Sequence, residues 1–145
     1  MAGLADIAAA KDIEVALTGK KVYIKSVRRL LTEIIFNLCD NAIKYNKNGG
    51  TVEVAISSQE NSASITVKDS GIGIPPEHQA RIFERFYRVD KSRSKESGGT
   101  GLGLSIVKHA VQYLNGKIEL QSSLGQGTVI QIIFQQDKSD VVQFS

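Results

Sequence analysis

The stretch Ser26–Asn46, SVRRLLTEIIFNLCDNAIKYN, decides the fold class. Leu30, Leu31, Ile34, Ile35, Leu38, Ala42 and Ile43 recur at intervals of three and four, the spacing of one face of an α-helix. Ser26 is placed to cap its start, and Asn48-Gly49-Gly50 stops it. The opposite face is polar. At about 100° per residue, Glu33, Asn37, Asp40, Asn41 and Lys44 share one sector, opposite Leu31, Ile35, Leu38 and Ala42.

On either side of this helix the period changes to two. Upstream, Ile13, Val15 and Leu17 alternate with polar or small residues, and Val22 and Ile24 suggest a shorter strand. Downstream, Val52, Val54 and Ile56, then Ala63, Ile65 and Val67, predict a hairpin joined by the polar loop Ser58–Ser62. Pro75-Pro76 suits the first turn of a short helix carrying Ile82, Phe83 and Phe86. Tyr87 to Gly99 has almost no apolar content and reads as a long loop, a length often tied to function. A second amphipathic helix runs from about Gly101 to Leu114, with Gly116 at its cap. Ile118 and Leu120, then Val129 to Phe134, form a closing hairpin around Leu124–Gly127, and the tail after Gln135 is polar and frayed. The sum is an α+β two-layer sandwich: a mixed, mostly antiparallel sheet covered on one face by three helices.

Composition fits one domain. The chain has 145 residues, against a prior of roughly 150 per domain, with 41% hydrophobic and 23% charged residues. The single Cys39 excludes a disulfide scaffold and a cysteine-based zinc site, and its apolar helical setting points to a small buried side chain. His78 and His109 are too few for a histidine-rich metal site. No run approaches the roughly 18 apolar residues of a membrane span. Met1 to Ala10 lacks a basic start and contains Asp6, so it does not read as a secretory signal. A net charge of +3 does not by itself imply nucleic acid. A soluble domain of a reducing compartment is expected.

Three segments carry chemistry. On the first helix the polar face has a plain reading, a solvated surface with an Asp40–Lys44 pair. Against it, Asn37 and Asn41 are poor helix formers one turn apart; amide oxygens suit Mg²⁺ and a neighbouring lysine suits phosphate. Next, Asp69-Ser70-Gly71-Ile72-Gly73-Ile74-Pro75 follows a strand directly. Its alternate glycines mean a sharp turn or close approach of a ligand, and a carboxylate at a strand end can accept a hydrogen bond from a base's amino group. Taken alone, the segment reads better as a structural loop. Third, Gly98-Gly99-Thr100-Gly101-Leu102-Gly103-Leu104 opens a helix. It is neither a dinucleotide fingerprint nor a P-loop, yet amides at a helix N-terminus favour phosphate oxygens; the alternative is a hinge. The basic residues Arg85, Arg88, Lys91, Arg93 and Lys95 lie between, beside Phe83, Phe86 and Tyr87 at helical spacing. These aromatics read as anchors of the loop, and nucleic acid is not the expected partner.

In order and spacing these segments together resemble the boxes of bacterial sensor histidine kinases. Asn37-Leu-Cys-Asp-Asn41-Ala-Ile-Lys44-Tyr45 resembles the N box, Asp69-Ser-Gly71-Ile-Gly73 the G1 box, Phe83-Glu-Arg-Phe86-Tyr-Arg88 the F box and Gly99-Thr-Gly101-Leu-Gly103-Leu the G2 box. The resemblance covers roughly Asp6 to Gln135 and implies the ATP-binding catalytic domain of such a kinase, with the Bergerat fold shared by gyrase, Hsp90 and MutL. It implies residues 1–11 as a connector remnant, 12–135 as the catalytic domain with an ATP lid at about 87–99, and 136–145 as a tail.

Carried over residue by residue, the resemblance implies the following roles. Asn41 binds Mg²⁺ through its amide oxygen with Asn37 beside it; Lys44 and Arg88 contact phosphates; Tyr45 lines the pocket. Asp69 binds the adenine amino group, and Gly71 and Gly73 let the chain pass the base, with Ile72 and Ile74 alongside. Phe83, Phe86 and Tyr87 complete the pocket. Gly99, Thr100, Gly101, Leu102, Gly103 and Leu104 cradle the phosphates. Asn37, Lys44 and Arg88 are the catalytic candidates. The ATPase branches of this superfamily carry a glutamate where this chain has Asn37, and an amide cannot act as a base. ATP should be held with little hydrolysis, for transfer to another acceptor.

The family's acceptor is a histidine in a His-Glu/Asp-x-x-x-Pro motif on a separate dimeric helical hairpin, and neither His78 nor His109 matches it. The implied partners are that dimerisation domain and a response regulator receiver domain. The isolated chain is expected to be monomeric, and its place the cytoplasmic portion of a membrane-anchored sensor. A nucleotide-binding docking module and a Bergerat ATPase remain the alternatives.

Overall fold

Strand alternation and helix period sort the apolar side chains onto one side of the main sheet. The computed structural model describes residues 14–18, 22–24, 28–59, 62–87, 103–135 and 142–144. The strands are β1 (Glu14–Thr18), β2 (Val22–Ile24), β3 (Thr51–Gln59), β4 (Ser62–Asp69), β5 (Lys117–Ser123), β6 (Gly127–Gln135) and β7 (Val142–Phe144). The helices are α1 (Arg28–Lys44), α2 (Pro76–Gln79) and α3 (Gly103–Tyr113). Five strands form the main sheet in the order β1-β3-β4-β6-β5. Only β1 with β3 is parallel; the other pairs of that sheet are antiparallel.

The register aligns one row across four strands: Ile56 opposite Ile65, Ile65 opposite Ile132, Ile132 opposite Ile118. Ile65 and Ile132 are fully buried there. Shifting any strand by one residue would turn its whole apolar set outward, so this pattern fixes the pairing. Against that face pack Leu31, Ile34, Leu38 and Ile43 of α1 and Val107, Ala110 and Val111 of α3. Cys39 is buried among them, and burial pushes its thiol up to about 11. The other face carries Glu53 opposite Lys68 and stays open to solvent. The mixed, mostly antiparallel sandwich stands as expected, but of the three helices expected on its covered face only α1 and α3 supply core residues, the short α2 burying none of its own.

Three local expectations change. The hairpin strands run further than expected, to Gln59 opposite Ser62, so only Glu60 and Asn61 separate them. The helix after Pro75 ends at Gln79. Beyond it each turn closes over three residues, Arg81 N–H to the His78 carbonyl and Glu84 N–H to that of Arg81, so Ile82, Phe83 and Phe86 lie in turns. Phe86 there adopts φ +64°, which no helix permits. The tail also contributes structure: Val142–Phe144 pairs antiparallel with Val22–Ile24.

At the end of α3, Gly116 N–H bonds the Val111 carbonyl and Asn115 N–H that of Gln112, with Asn115 at φ +57°. This is a Schellman close in which asparagine, not glycine, takes the left-handed position. The connector 1–11, the lid beyond Tyr87, and Arg88, Gly99, Thr100, Gly101 and Leu102 lie outside the described residues.

Candidate functional site

Where α1 ends, its polar residues meet the strand-end loop. Tyr45 N–H bonds the Asn41 carbonyl at 3.1 Å, and the Tyr45 carbonyl accepts Ile72 N–H at 3.3 Å. Asn46 is 1% exposed and joins three elements. Its Nδ2 donates to the Thr51 carbonyl at 2.9 Å, and its Oδ1 accepts Lys47 N–H at 2.9 Å and the Ser70 hydroxyl at 3.5 Å. A side chain at Gly71 would collide with the Tyr45 carbonyl and the Asp69 carboxylate, so the residues just past α1 and the loop are in direct contact.

Asp69 ends β4 facing this junction. Its Oδ1 accepts Gly71 N–H at 2.9 Å, and the backbone of Thr128, its register partner on β6, also favours the charged form. Burial outweighs both and raises the carboxyl to about 6, so it remains an ionised acceptor at neutral pH. Gly73 sits at φ +76°, and a Cβ there would overlap the Ser123 carbonyl. Its missing side chain is thus required by the chain's own packing, without reference to any ligand. Ile72 and Ile74 are half-buried and bonded through their backbones: the Ile72 carbonyl accepts Gly125 N–H at 2.9 Å, and Ile74 N–H reaches the Ser122 hydroxyl at 2.8 Å.

The rest of the polar face of α1 is held by bonds within the helix. Asn37 Nδ2 donates to the Glu33 carbonyl at 2.7 Å. Lys44 Nζ pairs with Asp40 at 3.1 Å, with both side chains about four-fifths buried. Asn41 lies half-buried one turn beyond Asn37. The start of α3 meets this face, because a Cβ on Gly103 would stand 3.2 Å from Asn37 Oδ1. Leu104, the next residue, packs against the core. The structure therefore brings Gly103 against Asn37, and Tyr45 against the loop whose Gly71 amide bonds Asp69, while Asn41 and Lys44 lie on α1 between these two contacts.

The aromatic segment lies by α2. Tyr87 Oη hydrogen-bonds His78 Nδ1, and the Arg81 guanidinium stacks 4.6 Å from the Tyr87 ring centre. Phe83 is half-buried, whereas Phe86 is 63% exposed under Arg85. His78, which does not match the acceptor motif, is a partner of Tyr87. Sequence reading also passed over Asn46, Gln79, Ser122 and Thr128, whose partners are distant along the chain; no local pattern flags them.

A site built from a buried carboxylate, helix amides and helix-end N–H groups can accept an amino group and cradle anionic oxygens. Among the described residues no group of three or more His, Cys, Asp or Glu could hold a metal. Two amides one turn apart fit Mg²⁺ that draws its remaining oxygens from phosphates and water. No helix among the described residues is long and apolar enough to cross a membrane.

Comparison with known proteins agrees with this geometry. Residues 26–138 match the family described as histidine kinase-, DNA gyrase B- and HSP90-like ATPase. The sensor histidine kinase RppB of Synechocystis is 43% identical over 126 residues, covering 87% of this chain and 28% of RppB. The chain thus spans little more than a quarter of that relative. Among solved structures, the mycobacterial sensor histidine kinase MprB superposes with a TM-score of 0.75 at 29% identity, covering 93% of this chain and 90% of that one. Full-length ShkA in complex with AMPPNP gives 0.77 at 28% identity, covering 94% of this chain and 28% of that one. With the match extending over most of its length, this chain belongs to the histidine kinase-, DNA gyrase B- and HSP90-like ATPase family.

Proposed function

We propose that this chain is the ATP-binding catalytic domain of a sensor histidine kinase. It serves transfer of the γ-phosphoryl group of ATP to a histidine on a separate dimerisation domain, for relay to a response regulator receiver domain. ATP supplies the phosphoryl group, and Mg²⁺ offsets the charge of its phosphates.

Asp69 accepts the adenine amino group, and its carboxylate is kept in place by the Gly71 amide. Asn41 offers its amide oxygen to the metal, with Asn37 beside it. Lys44 and Arg88 hold phosphate charge, and Tyr45, Ile72, Ile74, Phe83, Phe86 and Tyr87 line the nucleotide. The amides of Gly99, Thr100, Gly101, Leu102, Gly103 and Leu104 receive phosphate oxygens. Positioning and charge stabilisation are the contributions such residues can make to phosphoryl transfer.

One observation carries the choice of kinase over ATPase. The side chain one turn before Asn41 is Asn37, an amide tied through Nδ2 to the Glu33 carbonyl. It cannot take a proton from water. Glu33 lies a further turn away on an exposed edge, in a pair with Arg29 at 3.6 Å. Bound ATP is thereby spared from water.

The test is phosphotransfer to a dimerisation domain supplied in trans. Radiolabel from γ-labelled ATP is expected on the acceptor histidine with the wild-type chain. It is expected to vanish with Asn41→Asp or Asp69→Asn. Full transfer by either variant would refute the assignment.

A further inference from the structure

The loop that ends β4 is fastened to the β5–β6 hairpin by a clasp that the roles assigned above do not use. The Ser122 hydroxyl is its centre. It accepts Ile74 N–H at 2.8 Å, donates to the Gly127 carbonyl at 3.0 Å, and lies 2.8 Å from Thr128 Oγ1. One proton and two lone pairs are then all engaged, with the Thr128 hydroxyl donating. Gln79 repeats the connection from α2: its Nε2 donates to the Ile74 carbonyl at 2.9 Å and to the Ser122 carbonyl at 3.2 Å.

The Gly127 carbonyl and the Thr128 N–H belong to one peptide plane. Ser122 holds the oxygen side of that plane, and Thr128 is the register partner of Asp69 across the β4–β6 ladder. A hydrogen bond to a peptide oxygen orients the whole plane. The plane has no slack, since Gly127 sits at φ +103° and a Cβ there would overlap the Asp69 carbonyl. Through Ile74, the same hydroxyl anchors the far end of the loop whose Gly71 amide bonds the Asp69 carboxylate.

We propose that Ser122, assisted by Gln79, is a positioning residue for the Asp69 carboxylate, holding both the strand residue paired with Asp69 and the loop whose Gly71 amide aims that carboxylate into the nucleotide site. The inference rests on the nucleotide reading for its consequence, though not for its geometry. Lys68, the adjacent charged residue on β4, lies on the opposite, open face of the sheet and is not a partner.

The experiment follows the Asp69 carboxyl carbon by NMR titration in the nucleotide-free 145-residue chain, alongside ATP affinity by calorimetry. Ser122→Ala is expected to move the Asp69 midpoint to higher pH, because the loop that carries the Gly71 amide is no longer fastened and its bond to the charged form loosens. ATP binding should weaken about tenfold, the effect of misplacing one charge-assisted hydrogen bond. Ser122→Thr, which restores the hydroxyl, should recover both. A stable Ser122→Ala protein with an unchanged Asp69 midpoint overturns the proposal. If Ser122→Ala does not fold, Gln79→Glu removes both amide donors at constant size and must raise the same midpoint; no movement there also overturns it. A moved midpoint in a chain that binds no ATP supports the clasp and defeats the nucleotide reading instead.

Discussion

The two residues that follow α1 and the polar face of that helix are held in different ways. Just past its C-terminal end, Tyr45 and Asn46 are knitted to the Asp69–Ile74 loop and to β3 by bonds that cross long stretches of chain. On the face itself, Asn37 bonds the Glu33 carbonyl and Lys44 pairs with Asp40, both inside one helix. The first region is part of the fold, and its glycines are filled by the chain's own backbone. The second can exchange its bonds for those of a ligand at small cost to the fold. Substitutions should therefore separate stability from binding along a single helix and its neighbour.

The largest effect is expected where backbone meets backbone. Gly73→Ala and Gly127→Ala place a Cβ against a carbonyl at positive φ. Each should cost about 3 kcal/mol or more, read as a lower denaturant midpoint. A loss below 1 kcal/mol would mean that the loop tolerates rearrangement.

Asn41→Ala tests the opposite behaviour. Mg²⁺-dependent ATP binding should fall about tenfold or more while stability moves by less than about 0.5 kcal/mol. Calorimetry and urea unfolding on the same preparation decide it; a large stability loss would merge the two regions.

Asp69 joins them, and pH resolves its part. Its carboxyl is raised to about 6, above the range of an unfolded chain. Between pH 4 and 6 the folded state holds that proton more tightly than the unfolded one. Stability of the free chain should therefore fall as pH rises through this window, and Asp69→Asn should abolish that slope. ATP binding needs the ionised acceptor, so affinity should drop by about tenfold from pH 7 to pH 5. Affinity indifferent to pH there would remove Asp69 from the contact with the base.

The smallest effect is expected at the ion pair. Asp40→Asn breaks a bond at 3.1 Å that lies within one helix. It should lower stability by less than about 1 kcal/mol in urea unfolding. A greater loss would show that the polar face is also built into the fold.

Much of this architecture is legible because it is local. The three-and-four spacing of Leu31, Ile34, Leu38 and Ala42 sets the buried side of α1, and Ala63, Ile65 and Val67 set that of β4. Periodicity fails where a segment is short or its partner remote. Val142–Phe144 is three residues long and pairs with a strand near the other end of the chain. After Pro75, Ile82, Phe83 and Phe86 keep a helical rhythm through turns that are not helical, so periodicity runs past the true end of the helix at Gln79. At the site, Asn37, Asn41 and Asp69 could be picked out by residue type and order. The roles of Asn46 and Ser122 could not, since Asn46 contacts Ser70, 24 positions on, and Ser122 contacts Ile74, 48 positions back. Gly73 suggested room for a ligand, and its space is taken by the Ser123 carbonyl.

The most direct measurement is calorimetric titration of the chain with ATP, with and without Mg²⁺, while phosphate release is followed in the same solution. Mg²⁺-dependent binding with negligible release is the expected result, because Asn37 stands where a general base would be needed. Brisk release would contradict the kinase assignment in favour of an ATPase. Absence of binding would contradict the nucleotide site itself.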